Sequence, residues 1–113
     1  MQRPSRGEIW EVELGTTRGR EQAGRRPALV VSTDRFNHGP AGLVVVVPLT
    51  TAFKGIPFHV EVEPPEGGVR PRSFVKPEDV RSLSSERLAS RWGAVSRGTL
   101  AAVEDRLRVL LEL

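Results

Sequence analysis

Residues 43–50, Leu-Val-Val-Val-Val-Pro-Leu-Thr, are apolar almost without interruption. With no polar alternation, this run reads as a strand buried on both faces, and its apolar part is far too short to cross a bilayer. A strand of that kind sits inside a sheet, and the flanking sequence supplies its neighbours. Gly7 to Leu14 alternates, with Trp10, Val12 and Leu14 opposed to Glu11 and Glu13, which is the pattern of a half-buried strand with Trp10 facing the core. Pro27 to Ser32 lacks polar alternation and reads as a second central strand. Pro57 to Glu63 alternates again, placing Phe58, Val60 and Val62 against His59, Glu61 and Glu63.

Shorter strands are expected at Ser73 to Lys76, Asp79 to Leu83 and Arg91 to Val95. Polar or turn-rich connections are expected at Gly15 to Gly24, Asp34 to Gly42, Thr51 to Ile56 and Pro64 to Pro71. Ser84, Ser85 and Glu86 are N-terminal signals for a helical turn reaching about Ala89. From Arg97 onward, Leu100, Val103, Leu107, Leu110 and Leu111 share one helical face and predict an amphipathic terminal helix, a core or dimer element. Many short strands with one helix argue for a mainly β chain, a small curled barrel with a helix packed on it. At 113 residues and without internal repeats, residues 1–113 read as one domain.

Zero cysteines excludes disulfides and thiolate metal sites, and the N-terminus lacks the apolar core of a signal peptide, so a cytoplasmic location is expected. The net charge is only +3, yet arginine makes up 15 of the 17 basic residues. Arginine recognises phosphate through a planar fork of donors, whereas lysine offers a point charge. Arg3, Arg6, Arg18, Arg20, Arg25 and Arg26 crowd the first quarter of the chain. A genome rich in G and C would favour arginine everywhere but would not cluster it. Nucleic acid is therefore the favoured partner.

Residues 20–32 concentrate this chemistry. A polar loop carrying Glu21, Gln22, Arg25 and Arg26 runs into the second strand at Pro27. Proline fixes its own φ and pushes the preceding residue toward extended geometry, so Arg26 is held at a strand mouth where it suits a phosphate. Thr50 and Thr51, at the end of the apolar strand, offer hydroxyls to phosphate oxygens. Phe53 and Lys54 follow, with Phe53 readable either as a stacking surface for a base or as a plug under its loop.

Metal chemistry has little support, because His38 lies in a turn and His59 on the acidic, solvated face of a strand. No Gly-x-Ser-x-Gly nucleophile elbow occurs. The reactive groups that remain suit a reaction in which the substrate carries its own nucleophile, as RNA does in its 2′-hydroxyl.

With these residues placed, the chain resembles the MazF/PemK-type toxins of bacterial toxin–antitoxin systems over nearly its whole length. The resemblance rests on an ordered series: Arg6-Gly7-Glu8-Ile9-Trp10, then Glu21-Gln22-Ala23-Gly24-Arg25-Arg26-Pro27 with Leu29-Val30-Val31-Ser32, then Pro48-Leu49-Thr50, Ser73 and Val80-Arg81-Ser82-Leu83. It implies an SH3-like barrel of the CcdB/MazF type with a short helix and a C-terminal helix. It also implies a metal-independent, sequence-specific endoribonuclease that needs no cofactor and cuts single-stranded RNA. The expected products are a 2′,3′-cyclic phosphate, or the 3′-phosphate it opens to, and a 5′-hydroxyl.

A homodimer with RNA along the subunit groove is implied too, as is a cognate antitoxin of the MazE type that blocks the groove. By motif, Arg26 and Thr50 correspond to the catalytic pair, and Glu21 and Gln22 to positions lining the RNA site. Lys54, Ser73, Asp79 and Arg81 join Arg25, Thr51 and Phe53 as candidate RNA contacts. Arginine stays protonated at ordinary pH, so Arg26 is assigned to clamping phosphate, with proton donation to the leaving 5′-oxygen second. The 2′-hydroxyl proton goes to Glu21 or to a water.

The chain departs from the family pattern at Asp79, where many relatives carry Gln, and at Lys76-Pro77, which replaces an apolar pair. The stretch 64–72 is also unusually rich in Pro, Gly and Arg. Replacing an amide by a carboxylate removes donors that could read a base edge, so these departures bear on the cleavage sequence. Two other readings use the same barrel. One is a CcdB-like topoisomerase poison, although the chain ends Leu-Leu-Glu-Leu instead of in a Trp-Gly-Ile tail; the other is a non-catalytic RNA-binding module.

Overall fold

The apolar run becomes β3 (Leu43–Thr50), and the rest of the sheet is hung on it. In this computed structural model, which describes residues 3–15 and 24–113, one edge of β3 pairs with β2 (Arg25–Val30). β2 in turn pairs with β1 (Glu8–Glu13), and β1 with β7 (Leu88–Ala94). The other edge of β3 is divided. Its first half pairs with β6 (Arg81–Ser84), and its last two residues pair with β5 (Ser73–Val75), which carries β4 (Val60–Val62). All pairings are antiparallel. Because one edge serves two strands, the sheet curls into a half-barrel and not a flat layer.

Alternation along the central strands feeds two cores, one on each face. Ile9, Leu29, Val47, Leu49, Val62 and Val75 pack on one side under Val103 of the terminal helix α2 (Arg97–Leu111). Trp10, Val12, Ala28, Val30, Val44 and Val46 pack on the other side with Leu83 and Leu88. Burial of β3 on both faces is therefore met by Val44 and Val46 on one side and Val47 and Leu49 on the other. Along α2 the expected stripe divides. Val103 is fully buried and Leu100 and Leu107 pack on the core, while Leu110 and Leu111 are exposed where the helix outruns the sheet.

Several boundaries differ from the sequence reading. β2 starts at Arg25 instead of Pro27, because Glu13 and Val12 of β1 extend far enough to pair with Arg25 and Arg26. A four-residue helix, α1 (Asp34–Asn37), stands in the expected turn-rich connection, capped by the Thr33 hydroxyl accepting from the Phe36 N–H. One helical turn is too short to show a 3.6-residue period. β4 covers only residues 60–62 of the stretch 57–63, since Pro57 and Phe58 form a turn. Asp79 closes a 3-10 turn (Pro77–Asp79) and does not open β6. The helical turn after Ser84 ends at Arg87, and β7 begins at once. Two register shifts against β1 blur the alternation that would have marked this strand.

Arg6, counted above with the basic cluster, is structural. Its backbone N–H donates to Asp34, and its guanidinium donates to the Val31 carbonyl and pairs with Glu104 of α2. It thus ties the entry of β1 to both helices.

The Pro/Gly-rich stretch packs as a 3-10 turn (Glu66–Gly68) against β7. From it Glu66 reaches the start of α2, accepting from the Ser96 N–H at 2.9 Å, while the Ser96 hydroxyl caps Thr99. Burial alone would raise the Glu66 carboxyl pKa, but the hydrogen bonds from Thr99 and Ser96 outweigh it and hold the pKa below the usual range. A carboxyl with a lowered folded-state pKa contributes stability that is present above its unfolded value and lost as pH falls through the folded one. Replacing Glu66 with Gln is therefore expected to flatten the acid limb of a stability-versus-pH curve measured by urea titration. An unchanged acid limb would show that this contact does not report on folding.

Candidate active site

The strand registers assemble the site. β1 and β2 pair Val12 with Arg26, and β2 and β3 pair Ala28 with Pro48. The paired register ends there, and Arg26 and Thr50 lie two residues beyond it on the same side of their strands as Ala28 and Pro48. β3 and β5 then pair Thr50 with Phe74, and β5 and β4 pair Phe74 with Glu61. Paired residues in antiparallel strands project from the same face. Val12, Arg26, Thr50, Phe74 and Glu61 therefore form one row across five strands, on the face turned away from α2.

Arg26 is exposed and Thr50 half-buried at the end of its strand. The Thr50 hydroxyl oxygen accepts from the Ala52 N–H at 3.2 Å. A hydroxyl has one proton to donate, so this arrangement leaves that proton for an incoming acceptor.

Beside the row lies a groove of about 450 Å³, with Leu14 and Pro48 as an apolar floor and Glu78, Asp79, Val80, Arg81 and Ser82 as a wall. The wall contains an ion pair and a histidine–carboxylate hydrogen bond. Lys76, only 8% exposed, meets Asp79 at 3.0 Å, and His59 donates to Glu78 at 2.7 Å. The two departures noted in the sequence thus belong together, since the buried Lys76 ammonium neutralises the Asp79 carboxylate that stands in place of an amide. Desolvation works to raise the Glu78 pKa, but the bonds from His59 and the backbone, with the charges of His59 and Lys76, bring it below the usual range. His59 corrects the sequence reading. Its side chain is 3% exposed and tied to Glu78, because the turn at Pro57 and Phe58 takes it out of the alternating strand.

On the far side of the His59–Glu78 contact is a second, smaller pocket of about 140 Å³, lined by Phe53, Lys54, Gly55, Ile56, His59, Glu61 and Phe74. Phe53 is 68% exposed, so it is not a plug under its loop. Its ring lies 5.5 Å from that of Phe74, and the Arg72 guanidinium sits over both rings at 5.4 and 5.0 Å. Arg72 is held by a two-point contact with Glu61 at 2.7 and 3.0 Å.

The sequence-derived candidates divide accordingly. Asp79 and Arg81 line the groove, Arg26 and Thr50 stand in the row beside it, and Thr51, Phe53 and Lys54 are exposed. Arg25 faces the opposite side of the sheet, paired with Glu11 at 3.2 Å and near Glu13 at 3.9 Å. Ser73 is 2% exposed and its hydroxyl donates to the Pro71 carbonyl, so it lies beneath the surface. Glu21 and Gln22 lie outside the described residues. Among the described residues no three carboxylate or imidazole groups gather as a metal cluster. Sequence reasoning missed Arg72, the burial of Lys76 and the His59–Glu78 pair. The alternation of Glu61 and Glu63 marked a polar face, but only the register shows that Arg72 and Phe74 share it.

The family model for PemK-like, MazF-like toxins of type II toxin–antitoxin systems matches residues 5–111. The chain belongs to this family. A curated relative, the endoribonuclease MazF9 of Mycobacterium tuberculosis, is 38% identical, over 96% of each chain. Among solved structures, MazF from Deinococcus radiodurans superposes with a TM-score of 0.88 at 32% identity, covering 100% of both chains. An endoribonuclease in complex with its cognate antitoxin, from a mycobacterial species, superposes at 0.78 with 26% identity, over 100% of this chain and 97% of that one. The MazF-like half-barrel with its C-terminal helix is thus shared end to end.

Proposed function

We propose that this MazF/PemK-family chain is a sequence-specific endoribonuclease toxin that cuts single-stranded RNA, such as messenger RNA, without a metal ion. What supports the reading is that Arg26 and Thr50 lie on one sheet face, each two residues beyond the Ala28–Pro48 pair next to a polar groove, on a chain whose relatives are named endoribonucleases. Arg26 clamps the scissile phosphate and stabilises the charge that builds on it, and the Thr50 hydroxyl donates to a phosphate oxygen. The RNA 2′-oxygen attacks phosphorus and the bond to the 5′-oxygen breaks; that oxygen takes a proton from Arg26 or from water, giving a 2′,3′-cyclic phosphate and a 5′-hydroxyl. Glu21 or a water accepts the 2′-proton. Arg81 and the Lys76–Asp79 pair form the wall against which neighbouring nucleotides lie.

Residues 1–113 act as one domain in the cytoplasm, as a homodimer with RNA along the subunit groove. A cognate antitoxin fits this reading, as in the mycobacterial complex, and occupies the same groove. Among the described residues no helix is long and apolar enough to cross a membrane. Neither the topoisomerase-poison nor the passive RNA-binding reading makes use of the Arg26–Thr50 pair.

Incubating the purified protein with a long single-stranded RNA in EDTA and sequencing the new 5′ ends tests the proposal. Cleavage at one recurring short motif, leaving 5′-hydroxyl ends, is expected. Intact RNA, or cleavage that EDTA abolishes, would overturn it.

A further inference from the structure

We infer that Phe53, braced by Arg72 and Phe74, is a stacking platform for one nucleobase next to the scissile phosphate, with the 140 Å³ pocket as its seat. The inference rests on the proposal that the groove takes RNA. An exposed phenylalanine on a loop ordinarily spends its time among several rotamers. Here the planar guanidinium of Arg72 lies over the rings of Phe53 and Phe74 alike, and Glu61 fixes that guanidinium by two hydrogen bonds. Gly55, with φ +63°, turns the loop so that a β-carbon placed there would stand 3.8 Å from the Phe53 ring. One ring face is thus supported from below while two-thirds of the side chain remains open to solvent.

Position and charge define the occupant. Thr50 and Phe74 are direct cross-strand partners, so their β-carbons stand about 5 Å apart on one face, within one nucleotide of a phosphate held by Arg26 and Thr50. The pocket wall includes Glu61, whose pKa is lowered chiefly by the Arg72 hydrogen bonds, with Glu63 beside it. Arg72 balances the Glu61 charge, and the Glu61 oxygens can also accept hydrogen bonds from the N–H groups of a base. Lys54, in the same wall, lies near the backbone phosphate. The volume suits a single ring system and not a whole nucleotide. The His59–Glu78 contact separates this seat from the larger groove, so adjacent nucleotides lie on either side of it.

The test is a binding cycle. An RNA oligonucleotide containing the cleavage site, made uncleavable by a 2′-O-methyl group at the scissile nucleotide, is compared with versions abasic at each flanking position. Dissociation constants are measured for the wild-type chain, Phe53→Ala and Arg72→Ala. Stacking on an aromatic side chain accounts for roughly 5- to 100-fold in affinity per base. Phe53→Ala is expected to weaken the intact oligonucleotide by about tenfold, and one abasic substitution should cost the wild type a similar factor while costing Phe53→Ala almost nothing. Arg72→Ala should give part of that loss, and Arg72→Lys should not restore it, because the planar face is what supports the ring.

Equal abasic penalties in wild type and Phe53→Ala at every position would overturn the inference. So would an effect of Phe53→Ala confined to capture of an antitoxin, which would assign the platform to a protein partner. Cleavage of the unmodified oligonucleotide by the wild type is read in parallel, so failure of the nuclease reading is seen separately from failure of the base seat. Since Phe53 is mostly exposed, its replacement leaves the fold in place, and an unchanged melting curve verifies this.

Discussion

Arg26→Ala is expected to lower RNA cleavage by about 100- to 1,000-fold, the range lost when one preorganised donor to a developing oxyanion is removed. The fold should survive the change. Arg26 is exposed, so its replacement opens no cavity in the core. The measurement is a single-turnover rate on a fixed oligonucleotide together with a melting curve for each variant. Arg26→Lys should fall between wild type and Ala, since an ammonium keeps the charge but loses the two-point contact with phosphate. Full activity in Arg26→Ala would remove Arg26 from the reaction. Loss of folding would instead make it a structural residue of the β1–β2 pair, where it stands opposite Val12.

The second large effect is structural. Gly68→Ala is expected to destabilise the chain by about 3 kcal/mol, combining left-handed backbone strain with an overpacked contact. Gly68 has φ +78°, and a β-carbon there would lie 2.3 Å from the Trp92 carbonyl oxygen of β7. That neighbour is backbone in a paired strand, so it cannot swing aside as a side chain would. Gly93 meets the same turn from the other side, with its own added carbon 2.8 Å from Gly67. For a domain of this size the loss should lower the melting temperature by roughly 10 °C. Gly24→Ala is the control. Its φ is +71° but nothing among the described residues lies within 4 Å, so a backbone strain of about 1 kcal/mol is expected. Similar melting temperatures for the two variants would show that the contact with β7 is not what holds the turn.

The Pro/Gly-rich stretch shows how far local pattern reaches. Composition alone marks residues 64–71 as a turn, because these residue types favour no regular element. That the turn packs into β7 and sends Glu66 to the start of α2 depends on chain segments about 30 residues apart, and no local signal carries it. The same holds for His59. Alternation places it on a polar strand face, yet the turn before it directs it inward to Glu78. The strands of the central sheet were legible because burial on one or both faces leaves a period in the residues themselves. Bulges in β7 and the single turn of α1 erased that period, so their limits were not.

In the site, Arg26 and Thr50 were each marked by local chemistry: an arginine before proline at a strand entrance, and a hydroxyl at the end of an apolar strand. That they share one sheet face follows from register, which joins residues far apart in the chain. The sequence by itself determined a mainly β chain around the strand at 43–50, the amphipathic terminal helix and the residues able to handle phosphate, because hydrophobic period and side-chain chemistry are local properties. Only the tertiary structure decided that Arg25 turns away to Glu11, that Lys76 is buried against Asp79, and that Arg72 braces Phe53. These depend on which face of which strand a residue reaches, and pairing between strands alone sets that.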